Sequence, residues 1–221
     1  MLAAIGHPVA EITSAILLSN ACHLGSALVL YKLTLMCSKS NSSLRRREAM
    51  AWITSALHIL SPAGLFLSAP YSESLFSFLV FTGTLIFWCS LEAIKAGKHL
   101  QGNFLALLSA IALSASCTVR ANGLLNGVLF LFEFVWTLVS IPGNLAVSRF
   151  VRTVCLGIGG LLVAAGLVLP QYIAYTDFCT RNEAQRPWCV KLVPSIYVFV
   201  QGFYWCVATY PPPVCSQSEF I

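Results

Sequence analysis

Six stretches of this sequence, near residues 10–36, 50–69, 72–91, 104–120, 123–141 and 153–175, stay apolar long enough to cross a bilayer. A spanning helix needs roughly 17–25 such residues. Inside lipid every backbone polar group must be satisfied within the protein, and a helix does this by itself. The chain therefore reads as all-α: a polytopic transmembrane helix bundle of about six or seven spans, one membrane domain over residues 1–221. A weaker seventh run lies near 193–208. Charged residues are only 10% of the chain and mean hydropathy is +0.79, whereas a soluble domain carries about 25% charged residues. The first run lacks a basic leading segment and contains Glu11, so it is expected to be retained as a helix and not cleaved as a signal. Pro62 is expected to kink the second run or close it early. Gly157, Gly159, Gly160 and Gly166 in the sixth allow close approach of a neighbouring helix.

The net charge of +5 does not point to nucleic acid, because the basic residues gather between the apolar runs. Lys39 and Arg45 to Arg47 lie between runs one and two, Lys95 and Lys98 between three and four, and Arg149 and Arg152 between five and six. Loops rich in Lys and Arg stay cytosolic. The opposite set then faces a lumenal or extracellular space: the N-terminus, residues 70–72, residues 120–122 and a polar loop near 176–193.

Of nine cysteines, Cys22, Cys37, Cys89, Cys117 and Cys155 lie in or at the ends of apolar runs and read as small hydrophobes. Cys179 and Cys189 flank the polar loop on the side expected to be oxidising, where a disulfide forms readily; two free thiols are the alternative, since spacing alone does not prove a bridge. His7, His23, His58 and His99 are scattered and no metal-ligand spacing is present, so no metal site is expected.

Three polar features interrupt the apolar pattern. Glu73 follows the corner Ala69-Pro70-Tyr71 between the second and third runs. A charge at a membrane boundary is a functional candidate; equally, a carboxylate in the first turn of a helix complements its dipole. Glu133 sits mid-span, either hydrogen-bonded to His58 or His23 or protonated in a structural role. Arg120-Ala121-Asn122-Gly123 closes the fourth run, as an interfacial helix stop or as an anion clamp with the fork geometry of guanidinium.

Five segments together resemble one family. Ser61-Pro62-Ala63-Gly64-Leu65-Phe66-Leu67-Ser68-Ala69-Pro70-Tyr71-Ser72-Glu73-Ser74-Leu75-Phe76 looks like the hallmark of the GPI mannosyltransferase 2 family, an Asn/Ser-Pro-Ala helix end leading into Tyr-Ser-Glu-Ser/Ala-Leu-Phe. Arg120-Ala121-Asn122-Gly123 is similar to its Arg-Ser-Asn-Gly, with Ala121 in place of Ser. Residues 170–179, Pro187-Trp188-Cys189 and the run from Pro194 through Tyr197 and Gln201 to Tyr204-Trp205 resemble its later segments. The matches keep their order and cover about residues 50–205.

The resemblance implies a GT-C-type glycosyltransferase of the endoplasmic reticulum membrane. Such an enzyme transfers mannose from dolichyl-phosphate mannose to the GPI precursor, adding the second mannose in α1,6 linkage on the lumenal side. It implies no cofactor: the donor is a substrate. The partners implied are the lipid-linked donor, the glycolipid acceptor and an accessory membrane subunit. A β-linked donor and an α-linked product imply inversion by a single displacement. A carboxylate would take the acceptor proton, the transition state would be oxocarbenium-like, and a cation would stabilise the departing phosphate. Carried over by motif, the substrate-binding candidates are Tyr71, Ser72, Glu73, Arg120, Asn122, Trp188, Gln201, Tyr204 and Trp205. Arg120 takes the phosphate role and Glu73 orients a sugar. Tyr71, Trp188, Tyr204 and Trp205 wall the sugar site or anchor at the interface.

Two departures stand beside the resemblance. The family's Trp-Asp motif, expected to hold the catalytic acid, occurs nowhere in this sequence, so the catalytic residue is unknown and Glu11 is not a matched replacement. After Trp205 the tail 206–221, with Pro211 to Pro213, is atypical. The chain is expected to be the middle of a larger enzyme. The alternative reading is a non-catalytic membrane subunit or inactive fragment. A transporter using Glu133 and Arg120 is a third, and the absence of an internal repeat argues against it.

Overall fold

The computed structural model describes residues 8–38, 43–60, 71–139, 147–180 and 189. Six α-helices occur there: α1 (Pro8–Cys37), α2 (Leu44–Ile59), α3 (Ser72–Lys95), α4 (His99–Val119), α5 (Gly127–Val139) and α6 (Val147–Tyr175). A 3₁₀ turn, Ala121–Asn126, joins α4 to α5, and a π turn, Thr176–Thr180, follows α6. No strand occurs among the described residues, and the all-α reading holds. Five segments are long and apolar enough to cross a membrane: Ala10–Cys37, Ser72–Lys95, His99–Val119, Ala121–Val139 and Val147–Thr180. The second apolar run contributes only α2 here. Its remainder, including Pro62, lies outside the described residues, as do the run near 193–208 and the tail 206–221. The chain divides into two compact units, Met1–Gly166 and Leu167–Ile221.

The first unit is held together by small residues and hydroxyls, as expected where lipid supplies no hydrophobic drive between helices. α3 and α4 form an antiparallel hairpin. Its turn is a Schellman motif: Lys98 N–H donates to Ala93 O at 2.9 Å and Gly97 N–H to Ile94 O at 3.0 Å. Gly97, at φ +77°, takes the left-handed conformation that this stop requires. The face that α4 buries is Gly102, Asn103, Ala106, Ser109, Ala110, Leu113, Ser116 and Cys117, a three-and-four spacing that keeps them on one side of the helix. Ser109 Oγ donates to Gly83 O at 2.7 Å, and a Cβ on Gly83 would stand 2.6 Å from Leu113. The backbones therefore approach where glycine leaves room. α1 joins α3 through a buried hydrogen bond between the Ser19 and Ser74 hydroxyls, 3.0 Å. On α5, Phe130 is buried in the space left by Gly159 and against the Phe87 ring, with centroids 4.9 Å apart. The outer faces stay apolar, with Trp52, Leu131, Phe132 and Trp136 exposed, as lipid-facing surfaces are.

Two basic segments differ from the expectation of loops. α2 starts at Leu44 and takes Arg45, Arg46 and Arg47 into its first turn. Arginine is a good helix former, and Arg47 Nη2 donates to Leu35 O at 2.8 Å, satisfying a carbonyl that the end of α1 leaves open. Likewise α6 starts at Val147, so Arg149 and Arg152 are helical.

Candidate functional site

The antiparallel hairpin brings the start of α3 and the end of α4 to one end of the first unit. Tyr71 is the extended residue before α3, at φ −102° and ψ 159°. It is exposed, as is Ser72, and Glu73 follows in the first turn. Arg120 is the extended residue after α4, at φ −149° and ψ 135°. Across this end Arg120 Nη1 donates to Glu73 Oε2, and the two motif segments meet in that ion pair. Each side chain is 37% exposed, so the pair is partly open to its surroundings. The guanidinium also sits over the Phe76 ring, 5.8 Å from its centroid, a cation–π arrangement.

Local packing fixes both partners. Ser74, next to Glu73, is buried and bonded to Ser19. On the other side Arg120 accepts at its carbonyl from Gly123 N–H at 2.9 Å. Gly123 is buried against the last turn of α4. A Cβ there would meet Cys117 Cα and N at 2.8 Å and Ser116 C at 2.9 Å, so only glycine lets the turn fold back on the helix. The glycine of Arg120-Ala121-Asn122-Gly123 thus has a steric reason. Asn122 is exposed at the same end.

An exposed ion pair contributes about 0–1 kcal/mol. This one holds the fold weakly and presents a cation whose remaining N–H groups suit an oxyanion. Tyr71, Ser72, Glu73, Arg120 and Asn122 come together at this end. Trp188, Gln201, Tyr204 and Trp205 lie outside the described residues. In the second unit Cys179 and Cys189 are joined as a disulfide, with Cα atoms 5.6 Å apart.

Sequence reasoning missed Arg152. It is 4% exposed, and its Nη1 donates to Ser90 Oγ at 2.9 Å and to Gly102 O at 3.3 Å. Its Nε and Nη2 are buried without a hydrogen-bond partner among the described residues. The signal lay in the spacing Arg152, Leu156, Gly159, Val163, Gly166, all on the face that α6 buries. Of the two readings of Glu133, a hydrogen bond to His58 or His23 is not formed among the described residues. Instead the His23 and His58 rings pack edge to face, centroids 5.4 Å apart. No group of three or more His, Cys, Asp or Glu could hold a metal among the described residues. Two apolar clefts, of about 400 Å³ between α5 and α6 and about 430 Å³ between α1 and α2, lie away from the ion pair.

Comparison with known proteins agrees with the family resemblance. The family model described as Mannosyltransferase (PIG-V) matches residues 2–210. GPI mannosyltransferase 2 of Gibberella zeae is 41% identical over 197 residues, 89% of this chain and 44% of that protein. The protein of the same name in Aspergillus oryzae is 41% identical over 196 residues, 88% of this chain and 44% of that protein. GPI alpha-1,6-mannosyltransferase 2 of Rattus norvegicus is 29% identical over 183 residues, 71% of this chain and 34% of that protein. The chain thus spans less than half the length of these relatives. No solved structure matches it.

Proposed function

Because this chain belongs to the Mannosyltransferase (PIG-V) family, we propose that it serves mannosyl transfer to the GPI precursor. In this reading the donor is dolichyl-phosphate mannose, the linkage made is α1,6 and the reaction takes place on the lumenal face of the endoplasmic reticulum membrane. The observation that carries the reading is the meeting of Glu73 and Arg120 at one end of the α3–α4 hairpin. It places a cation and a carboxylate together in a membrane protein of several apolar helices, where a lipid-linked anion arrives from the bilayer.

Arg120 binds the phosphate that leaves with the dolichol and stabilises its growing charge. Glu73 and Asn122 present acceptors to sugar hydroxyls, and Tyr71 lines the approach. Inversion requires one carboxylate to take the proton of the acceptor hydroxyl as the new bond forms. No described residue is assigned that role. The name of the rat relative specifies an alpha-1,6 transfer, which supports the linkage.

The test is restoration of GPI-anchored surface proteins in cells lacking GPI mannosyltransferase 2, with glycolipid intermediates resolved by chromatography. The expected result is conversion of the one-mannose precursor to the two-mannose form by the native chain and not by Arg120→Ala expressed at equal level. Equal conversion by Arg120→Ala removes the phosphate role. No conversion by the native chain favours the second reading, a non-catalytic membrane subunit.

A further inference from the structure

The ion pair itself carries one step more, resting on the reading of this end of the hairpin as the donor's site. We propose that the Glu73 carboxylate occupies on Arg120 the seat of the substrate phosphate. A phosphate-headed polyprenyl lipid then binds by exchanging its anion for that carboxylate.

Guanidinium accepts carboxylate and phosphate oxygens in the same fork. Arg120 uses Nη1 for Glu73, and its side chain donates no other hydrogen bond among the described residues. Among the described residues one anion is therefore seated on a cation with donors to spare. Both partners are 37% exposed, so an incoming anion reaches them without unfolding a helix. By contrast the ion pair of Lys95 with Glu92 joins neighbouring turns of one helix and has no motif around it.

The helices do not depend on the pair for their placement. Ser74 is tied to Ser19, the α3–α4 turn is closed by its own backbone bonds, and Gly123 packs directly on Cys117 and Ser116. Breaking the pair therefore frees two charges on a fixed frame. A phosphate brought against Arg120 with Glu73 still in place would face a like charge, and this repulsion opposes joint occupancy. Exchange removes the repulsion. It also leaves the freed carboxylate beside the phosphate, where a sugar hydroxyl of the same lipid can donate to it. In the empty site Glu73 keeps Arg120 from capturing the abundant anionic lipids of the membrane.

The experiment is direct binding of dolichyl phosphate and, separately, of phosphatidic acid to the full chain in nanodiscs of neutral lipid. Native protein, Glu73→Gln and Arg120→Gln are compared, each with a thermal unfolding curve as the control for folding. Glu73→Gln is expected to bind dolichyl phosphate about threefold to fivefold tighter, the range that release from an exposed pair allows. Arg120→Gln is expected to bind it at least about tenfold more weakly. Should Glu73→Gln fold poorly, Glu73→Asp withdraws the carboxylate by one methylene and is expected to tighten binding in the same direction. Tightening for phosphatidic acid with no binding of dolichyl phosphate by any variant keeps the exchange and removes the donor reading. Affinities that folded Glu73 variants leave unchanged or weaken, including no binding at all, overturn the exchange.

Discussion

Arg152 of α6 and Ser90 of α3 share a buried hydrogen bond of 2.9 Å, and the same serine hydroxyl donates to Gly102 O of α4 at 2.7 Å. One hydroxyl thus links three helices. It accepts from Arg152 Nη1 with a lone pair and donates its own hydrogen to the carbonyl, so the one hydroxyl serves both groups. Gly102 makes this possible. A Cβ there would stand 2.6 Å from Ile94 Cδ1 and 3.1 Å from Ser90 O, so a larger residue would part α3 from α4 at the level of the node.

The cost of removing Ser90 should depend on Arg152. With arginine present, Ser90→Ala leaves a buried cation holding, among the described residues, only the 3.3 Å bond to Gly102 O. Losing a hydrogen bond to a charged group costs about 1.5–3 kcal/mol. With Arg152→Met the hydroxyl serves only Gly102 O, and its loss should cost closer to about 1 kcal/mol. Arg152→Met alone should be mild, because an apolar residue of similar length often replaces a buried charge without loss. Equilibrium unfolding in mixed detergent micelles measures the cycle. Strict additivity of the two substitutions would show that the residues do not act together.

Gly123 and Gly157 should respond differently to alanine. At Gly123 the new methyl meets backbone atoms of Cys117 and Ser116 within 3 Å, and backbone does not step aside. Overpacking of this kind costs about 1–3 kcal/mol, and the shift falls on the turn that holds Arg120. At Gly157 the nearest atom is Phe134 Cε2 at 3.4 Å, which a small ring movement accommodates. Gly123→Ala should lower the thermal midpoint and, under the proposed function, mannosyl transfer, and Gly157→Ala should change neither appreciably. Equal effects would remove the steric reason given for the glycine.

The helices were legible because a bilayer-length apolar run has few other ways to satisfy its backbone. Their ends were less so: Arg45 to Arg47 look like a loop by charge, yet the C-terminal carbonyls of α1 recruit Arg47 and draw the segment into α2. Glu73 and Arg120 each stood out as polar residues at helix ends, but 47 residues separate them. Their pairing follows only once α3 and α4 close into a hairpin. Arg152 was hidden for the opposite reason. Charge near the end of a span reads as a topology signal, whereas its register with Leu156 and Gly159 turns it inward. Of the candidates carried by resemblance, Trp188, Gln201, Tyr204 and Trp205 fall outside the described residues.

Cys179 and Cys189 form a bridge across ten positions of the chain. Peptide mapping of the unreduced protein should recover the two cysteines in one cross-linked species. A closed loop of this size stabilises by about 2–3 kcal/mol in the chain-entropy account, so Cys179→Ser and Cys189→Ser should each lower the thermal midpoint. The double variant should match either single one, since the bond is already lost after the first change. Recovery of both peptides as free thiols from protein alkylated before lysis would contradict the bridge.

Arg120 allows the sharpest separation of charge from geometry. Arg120→Lys keeps a cation over Phe76 but gives up the planar fork that meets two oxygens of a phosphate. Arg120→Gln gives up the charge as well. If the guanidinium stabilises the leaving phosphate, transfer from dolichyl-phosphate mannose in microsomes should fall by about 10²–10³ for Arg120→Gln, the range for loss of one preorganised donor. The lysine variant should lie between it and the native chain. The pair is half exposed, with each side chain at 37%, so unfolding measurements on both variants should shift by no more than about 1 kcal/mol. That bound separates the two explanations of a rate loss. A drop in transfer with stability kept belongs to the chemistry at the phosphate, and a drop that tracks lost stability would return Arg120 to the role of a helix stop.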